Sequence, residues 1–171
     1  VALVGQSMGG GSCVGFAAAY PDRVAALVLS DTVQGFEEFP ELAQIMIAAR
    51  AAADALPQIE RVLSAATREN QPALCALYSQ IASFNAVDRR SLPGRFSPLI
   101  APEALAAKRV PVLFIVGQED CVFPPAAVRA VHERMPGSIY VEITAAGHSP
   151  YFERPAEFND SVLSFLQAMR Y

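Results

Sequence analysis

Three side chains far apart in this chain, Ser7, Asp120 and His148, are together of the types that break an acyl bond. A serine hydroxyl is a poor nucleophile until a base takes its proton, and an imidazole does this near neutral pH. A carboxylate behind the imidazole fixes its tautomer and stabilises the imidazolium that forms. Ser7 has the most telling surroundings. It is the centre of Gly5-Gln6-Ser7-Met8-Gly9, directly behind the apolar run Val1-Ala2-Leu3-Val4 and ahead of a glycine-rich stretch. A G-x-S-x-G placed between a buried strand and a helix forces its serine onto a sharp turn, with the hydroxyl exposed over the end of the sheet. Gly5 and Gly9 are expected where strand and helix backbones approach too closely for a Cβ. Met8 opens the helix, so its N–H has no helical acceptor and is free to meet an anion. One turn thus offers a nucleophile and one oxyanion donor.

Strands must carry the other two groups. Val110–Gly117 is a β-branched apolar run that reads as a buried parallel strand, and Asp120 lies just past its carboxyl end. Glu119 is the local rival for the carboxylate role. Ile139–Ile143 reads as another strand, and the loop Thr144–Pro150 behind it carries His148. All three groups fall at carboxyl ends of strands, the edge at which open α/β sheets bind ligands. Their order, Ser then Asp then His, is the one expected behind such an elbow. Asp31, after the strand Val24–Ser30, is the main alternative acid position and otherwise a cap or turn. His132 falls on a helix over Pro125–Met135 and is expected at the surface, leaving His148 as the base. Ser30 and Ser149 read as loop residues.

These motifs resemble those of the α/β-hydrolase family. Tyr20–Val24 (YPDRV) is similar to its link from nucleophile helix to next strand, Val116–Pro125 (VGQEDCVFPP) to its acid loop, and Gly147–Pro155 (GHSPYFERP) to its histidine loop. The resemblance implies an α/β fold with an incomplete parallel sheet, from the elbow strand onward, and an inserted helical cap. It divides the chain into core residues 1–33, a cap over 34–100, and the remainder of the core over 101–171. It implies a serine hydrolase working through an acyl-enzyme on a small or medium hydrophobic ester or lactone, with Ser7, Asp120 and His148 catalytic and the Met8 N–H in the oxyanion hole. Carbon–carbon bond hydrolysis and cofactor-free perhydrolysis run on similar triads, and some relatives act mainly as receptors or scaffolds. The family has strands ahead of the elbow, one of whose loops gives a second oxyanion N–H. The chain is therefore expected to be the carboxyl-terminal portion of a longer hydrolase, weakly active or aggregation-prone alone.

Composition sets bounds. Length suits one domain, 53% hydrophobic residues suffice for a core, and the net charge of −4 is scattered. No basic stripe suggests nucleic acid, and no apolar stretch suggests a membrane span. Cys13, Cys75 and Cys121 have neither zinc nor disulfide spacing and fit a reducing, cytoplasmic compartment. The expected partner is a small-molecule substrate, with no metal or cofactor required. One competing pattern is dinucleotide binding: Gly9, Gly11 and Gly15 follow a strand, and Asp31 ends the next one where a ribose-binding acid would stand.

Between the core segments, residues from about Gln34 to Leu99 read as helical. Leu42, Ile45, Met46 and Ala49 share one face, as do Leu74, Leu77, Tyr78 and Ile81, and Pro57 and Pro72 stand at helix starts. Phe36, Phe39, Met46, Tyr78, Phe84 and Phe96 are candidates to face substrate, and Arg89-Arg90 reads as a solvated turn. A short helix over Pro102–Ala107 leads into the acid strand. A closing helix over Pro155–Met169 presents Phe158, Val162, Phe165 and Leu166 to the core.

Overall fold

The structure, a computed structural model, describes residues 1–84 and 98–169. Arg89, Arg90 and Phe96 lie outside the described residues. Four parallel strands run side by side in chain order: β1 (Ala2–Gln6), β2 (Ala26–Ser30), β3 (Val112–Gly117) and β4 (Ile139–Ile143). Parallel neighbours need crossovers, and helices supply them. Between β1 and β2 lie α1 (Met8–Ala19) and a 3₁₀ turn at Pro21–Arg23. Between β3 and β4 lies α7 (Pro125–Glu133), and after β4 come α8 (Pro150–Glu153) and α9 (Pro155–Ala168). The pairing aligns Gln6 with Ser30 and Gly117 with Ile143, so the strands end along one rim.

Alternation along the strands feeds two cores. Leu27, Leu29, Phe114 and Val116 pack with Val14 of α1 and with Val128, Val131 and Met135 at α7 and its end. Ala26, Val28, Leu113 and Ile115 face the other way, onto Phe158 and Phe165 of α9. β2 and β3 are buried at every residue, as two-sided packing requires. At the outer edge, Val1 and Val4 of the β1 run are exposed. Among the described residues no helix is long and apolar enough to cross a membrane.

The segment between β2 and β3 is helical, as expected: α2 (Pro40–Asp54), α3 (Gln58–Val62), α4 (Ala65–Asn70), α5 (Pro72–Ser83) and the short α6 (Pro102–Ala106). Its two ends are tied together by a parallel bridge of Phe36 with Ile100, with Glu37 N–H on Ile100 C=O and Ile100 N–H on Gly35 C=O. Leu42 and Met46 are buried against the core that includes α7. The second expected stripe packs differently. Leu77 and Ile81 are exposed, so the face they share is not buried as a unit.

His132 is not the surface residue expected from its helix position. It is half-buried, its ring lying against Phe114 and Tyr140, with Nδ1 2.7 Å from Ser138 Oγ. It stands on the flank of the sheet, within a ring cluster.

Candidate active site

The elbow is strained in the way its sequence predicts. Ser7 has φ 49° and ψ −121°, a backbone conformation costly for a residue with a side chain. It is held there by its N–H on Ser30 C=O at 2.9 Å, across the strand ends. A Cβ on Gly5 would come within 2.8 Å of Cys13 Sγ and 2.7 Å of Gly10 Cα, so only glycine fits. The second close approach is at Gly10 rather than Gly9. A Cβ on Gly10 would meet Thr32 Cγ2 at 2.3 Å, whereas one on Gly9 meets nothing within 4 Å. The helix turns the Gly9 position to solvent and Gly10 onto the loop after β2. Met8 is the first residue of α1, so its N–H precedes the helical acceptors.

The three chemical groups converge. Nε2 of His148 lies 2.9 Å from Ser7 Oγ, and Nδ1 of His148 lies 2.9 Å from Asp120 Oδ2. With Nδ1–H donating to the carboxylate, Nε2 is left to accept the serine proton. His148 and Asp120 are both buried, and Phe123 packs its ring beside the imidazole at 5.9 Å between centroids. The other oxygen of Asp120 accepts the N–H groups of Val122 and Phe123 at 2.7 and 3.1 Å. The loop after β3 therefore wraps its own carboxylate and aims one oxygen at the ring.

Glu119, the local rival, points elsewhere. Its Oε2 accepts the Ala65 N–H at 2.8 Å, at the start of α4. Asp31, the alternative acid, is fully buried beside the set, with φ 49°. It accepts the Gly117 N–H on Oδ1 at 2.9 Å and the Ser30 hydroxyl on Oδ2 at 2.5 Å. A ribose could not reach it, which leaves the dinucleotide pattern without its acid. Burial, reinforced by the neighbouring charge of Asp120, pushes the Asp31 carboxyl well above the usual carboxylate range. Asp31, Asp120 and His148 each present one polar atom to a cluster in which all three lie within 4.8 Å of one another. Both imidazole nitrogens are already engaged, by Ser7 and by Asp120, which leaves His148 no free nitrogen for a metal ion.

Two positioning contacts have no motif to announce them. Gln6, inside the elbow, donates from Nε2 to the backbone carbonyl of His148 at 2.8 Å. Glu153 is buried and accepts two N–H groups at 2.7 Å, from Gly147 on Oε1 and from Ser64 on Oε2. It ties the histidine loop to the segment between α3 and α4. Ser64 adds a bond from Oγ to Ala145 C=O at 3.0 Å. Behind them Gly117 and Gly147 meet without room for a side chain: a Cβ on Gly117 would lie 2.0 Å from the Gly147 oxygen. Glycines at both loop bases, together with Glu153 at the end of α8 (Pro150–Glu153), are the available sequence signals.

Comparison with known proteins agrees with this architecture. The family model for the alpha/beta hydrolase fold matches residues 1–155. A pimeloyl-[acyl-carrier protein] methyl ester esterase of Neisseria meningitidis is 27% identical over 179 residues, covering 91% of this chain and 65% of the relative. A thermophilic esterase from Thermogutta terrifontis superposes with a TM-score of 0.73 at 26% identity, covering all of this chain and 66% of that one. The enol-lactonase of Burkholderia xenovorans LB400 superposes with a TM-score of 0.68 at 27% identity, covering 98% and 65%. The chain thus spans about two thirds of the length of these relatives. With the elbow, the parallel sheet and the family match in agreement, this chain belongs to the alpha/beta hydrolase fold family.

Proposed function

We propose that the protein is a serine hydrolase that cleaves a small or medium hydrophobic ester or lactone through an acyl-enzyme. The observation that carries this reading is the unbroken line from Asp120 Oδ2 through both nitrogens of His148 to Ser7 Oγ, each step 2.9 Å. Ser7 attacks the substrate carbonyl while Nε2 takes its proton. Asp120 holds the ring and balances the positive charge. The Met8 N–H, at the dipole-positive start of α1, donates to the oxyanion. His148 then returns the proton to the leaving oxygen. It next activates water for attack on the acyl-serine, which restores the free hydroxyl.

Residues 34–100 form the cap in this proposal, between core segments 1–33 and 101–171, and they shape the substrate pocket. The tied ends at Phe36 and Ile100 and the anchor at Ser64 support a cap fastened directly above the histidine loop. The ester and lactone class draws support from the relatives, which include esterases and a lactonase. A cytoplasmic location is part of the same reading, supported by three free thiols. The test is hydrolysis by the intact protein of a panel of p-nitrophenyl esters and lactones of increasing acyl length. Turnover that peaks at short or medium chains and disappears in Ser7→Ala is expected. Equal turnover by Ser7→Ala would overturn the proposal.

A further inference from the structure

The acid side of the candidate site holds more carboxyl than a triad needs. Asp31 and Asp120 follow different strands, β2 and β3, both are buried, and one oxygen of each lies with a His148 nitrogen inside a 4.8 Å cluster. Two carboxylates in so dry a place repel, and the stable arrangement shares one proton between them. The hydrogen bonds decide which acid keeps it. Asp120 receives three donors: His148 Nδ1, Val122 N–H and Phe123 N–H. Asp31 receives the Gly117 N–H and the neutral hydroxyl of Ser30 and, among the described residues, no cation. With fewer donors, Asp31 is the acid that keeps the shared proton. Among the described residues, the titratable groups that lie with Asp31 are Asp120 of the loop after β3 and His148 of the loop after β4.

We propose that Asp31 is a fourth, positioning member of the Ser7–His148–Asp120 set: a neutral carboxyl that donates to Asp120, keeps the acid pair at a single negative charge, and stands in as the acid when Asp120 is removed. This rests on the serine-hydrolase reading above. Burial and the charge of Asp120 both push the Asp31 carboxyl in the required direction.

The test uses the intact protein, with p-nitrophenyl butyrate as substrate. Loss of turnover in Ser7→Ala first establishes the parent reading, and its failure there is a failure of that reading alone. In the unmodified protein near neutral pH, infrared spectra should then carry the carbonyl band of a protonated carboxylic acid, absent from Asp31→Asn. A spectrum without that band overturns the proposal whether or not any variant folds. Asp31→Leu should lower kcat/KM by about 10- to 100-fold. Asp31→Asn, whose amide donates as a protonated carboxyl does, should recover at least about tenfold of that loss. Equal defects in the two overturn it. Finally, Asp120→Asn should retain at least about ten times the activity of Asp31→Asn/Asp120→Asn, and equal activities overturn it.

Discussion

The rim that gathers Ser7, Asp120 and His148 and the helical segment between β2 and β3 are built on opposite terms. At the rim the groups are fixed by hydrogen bonds: Ser7 by Ser30, Asp120 by its own loop, His148 by Gln6 and Asp120, and Gly147 by Glu153. The helical segment carries exposed Leu77, Ile81 and Phe84, and it meets the core through the apolar Leu42 and Met46 and through the Ser64 and Ala65 N–H groups on Glu153 and Glu119. In the proposed reading the difference separates two tasks. Proton transfer needs positions fixed to fractions of an ångström. In that reading the helical segment covers the substrate.

Removing the reacting groups should produce the largest effect. Ser7→Ala and His148→Ala are each expected to lower kcat by at least about 10⁴-fold, with no further loss when combined, because the set acts as a unit. Additive losses in steady-state kinetics would break the unity claimed for the rim. The next effect is structural. Gly117→Ala must displace the Gly147 carbonyl and should cost about 3 kcal/mol or more in denaturant unfolding. Gly9→Ala, with open space around it, should be neutral or stabilising by up to about 1 kcal/mol. Equal penalties would mean that the rim is no more crowded than the open face of α1.

Glu153→Ala sharpens the contrast from the side of the helical segment. It strands the buried N–H groups of Ser64 and Gly147 and should cost about 2–3 kcal/mol, with turnover falling alongside as His148 loosens. Leu77→Ser should stay within about 0.5 kcal/mol. The smallest effect concerns pH. The folded pKa of Asp31 is raised, so its contribution is complete below the ordinary carboxylate range of about 4 and declines as pH rises towards the folded value. The Tm of Asp31→Asn relative to the parent should therefore climb with pH above that point, and a constant difference would contradict it.

The legibility of these features follows how local their causes are. The elbow could be read because a strand, a serine and a helix start are adjacent in sequence, and Asp120 and His148 because each follows a strand closely. The Gly9 expectation missed by one residue, since the decisive neighbour is Thr32 of a later strand's loop. Asp31 was visible as an alternative acid, but its burial against Gly117 arises from a contact 86 residues away. The Glu153 clamp joins positions 89 residues apart, and periodicity carries no trace of such a bond. The stripe through Leu77 and Ile81 shows the converse failure: helical spacing established a face without establishing what covers it.

The central claim, that Ser7 is an activated nucleophile, is tested most directly by treating the intact protein with a fluorophosphonate and mapping the adduct by peptide mass spectrometry. A single adduct on Ser7, absent in His148→Ala, is the predicted result. Failure of Ser7 to label in the folded, unmodified protein, or labelling undiminished by His148→Ala, would contradict it.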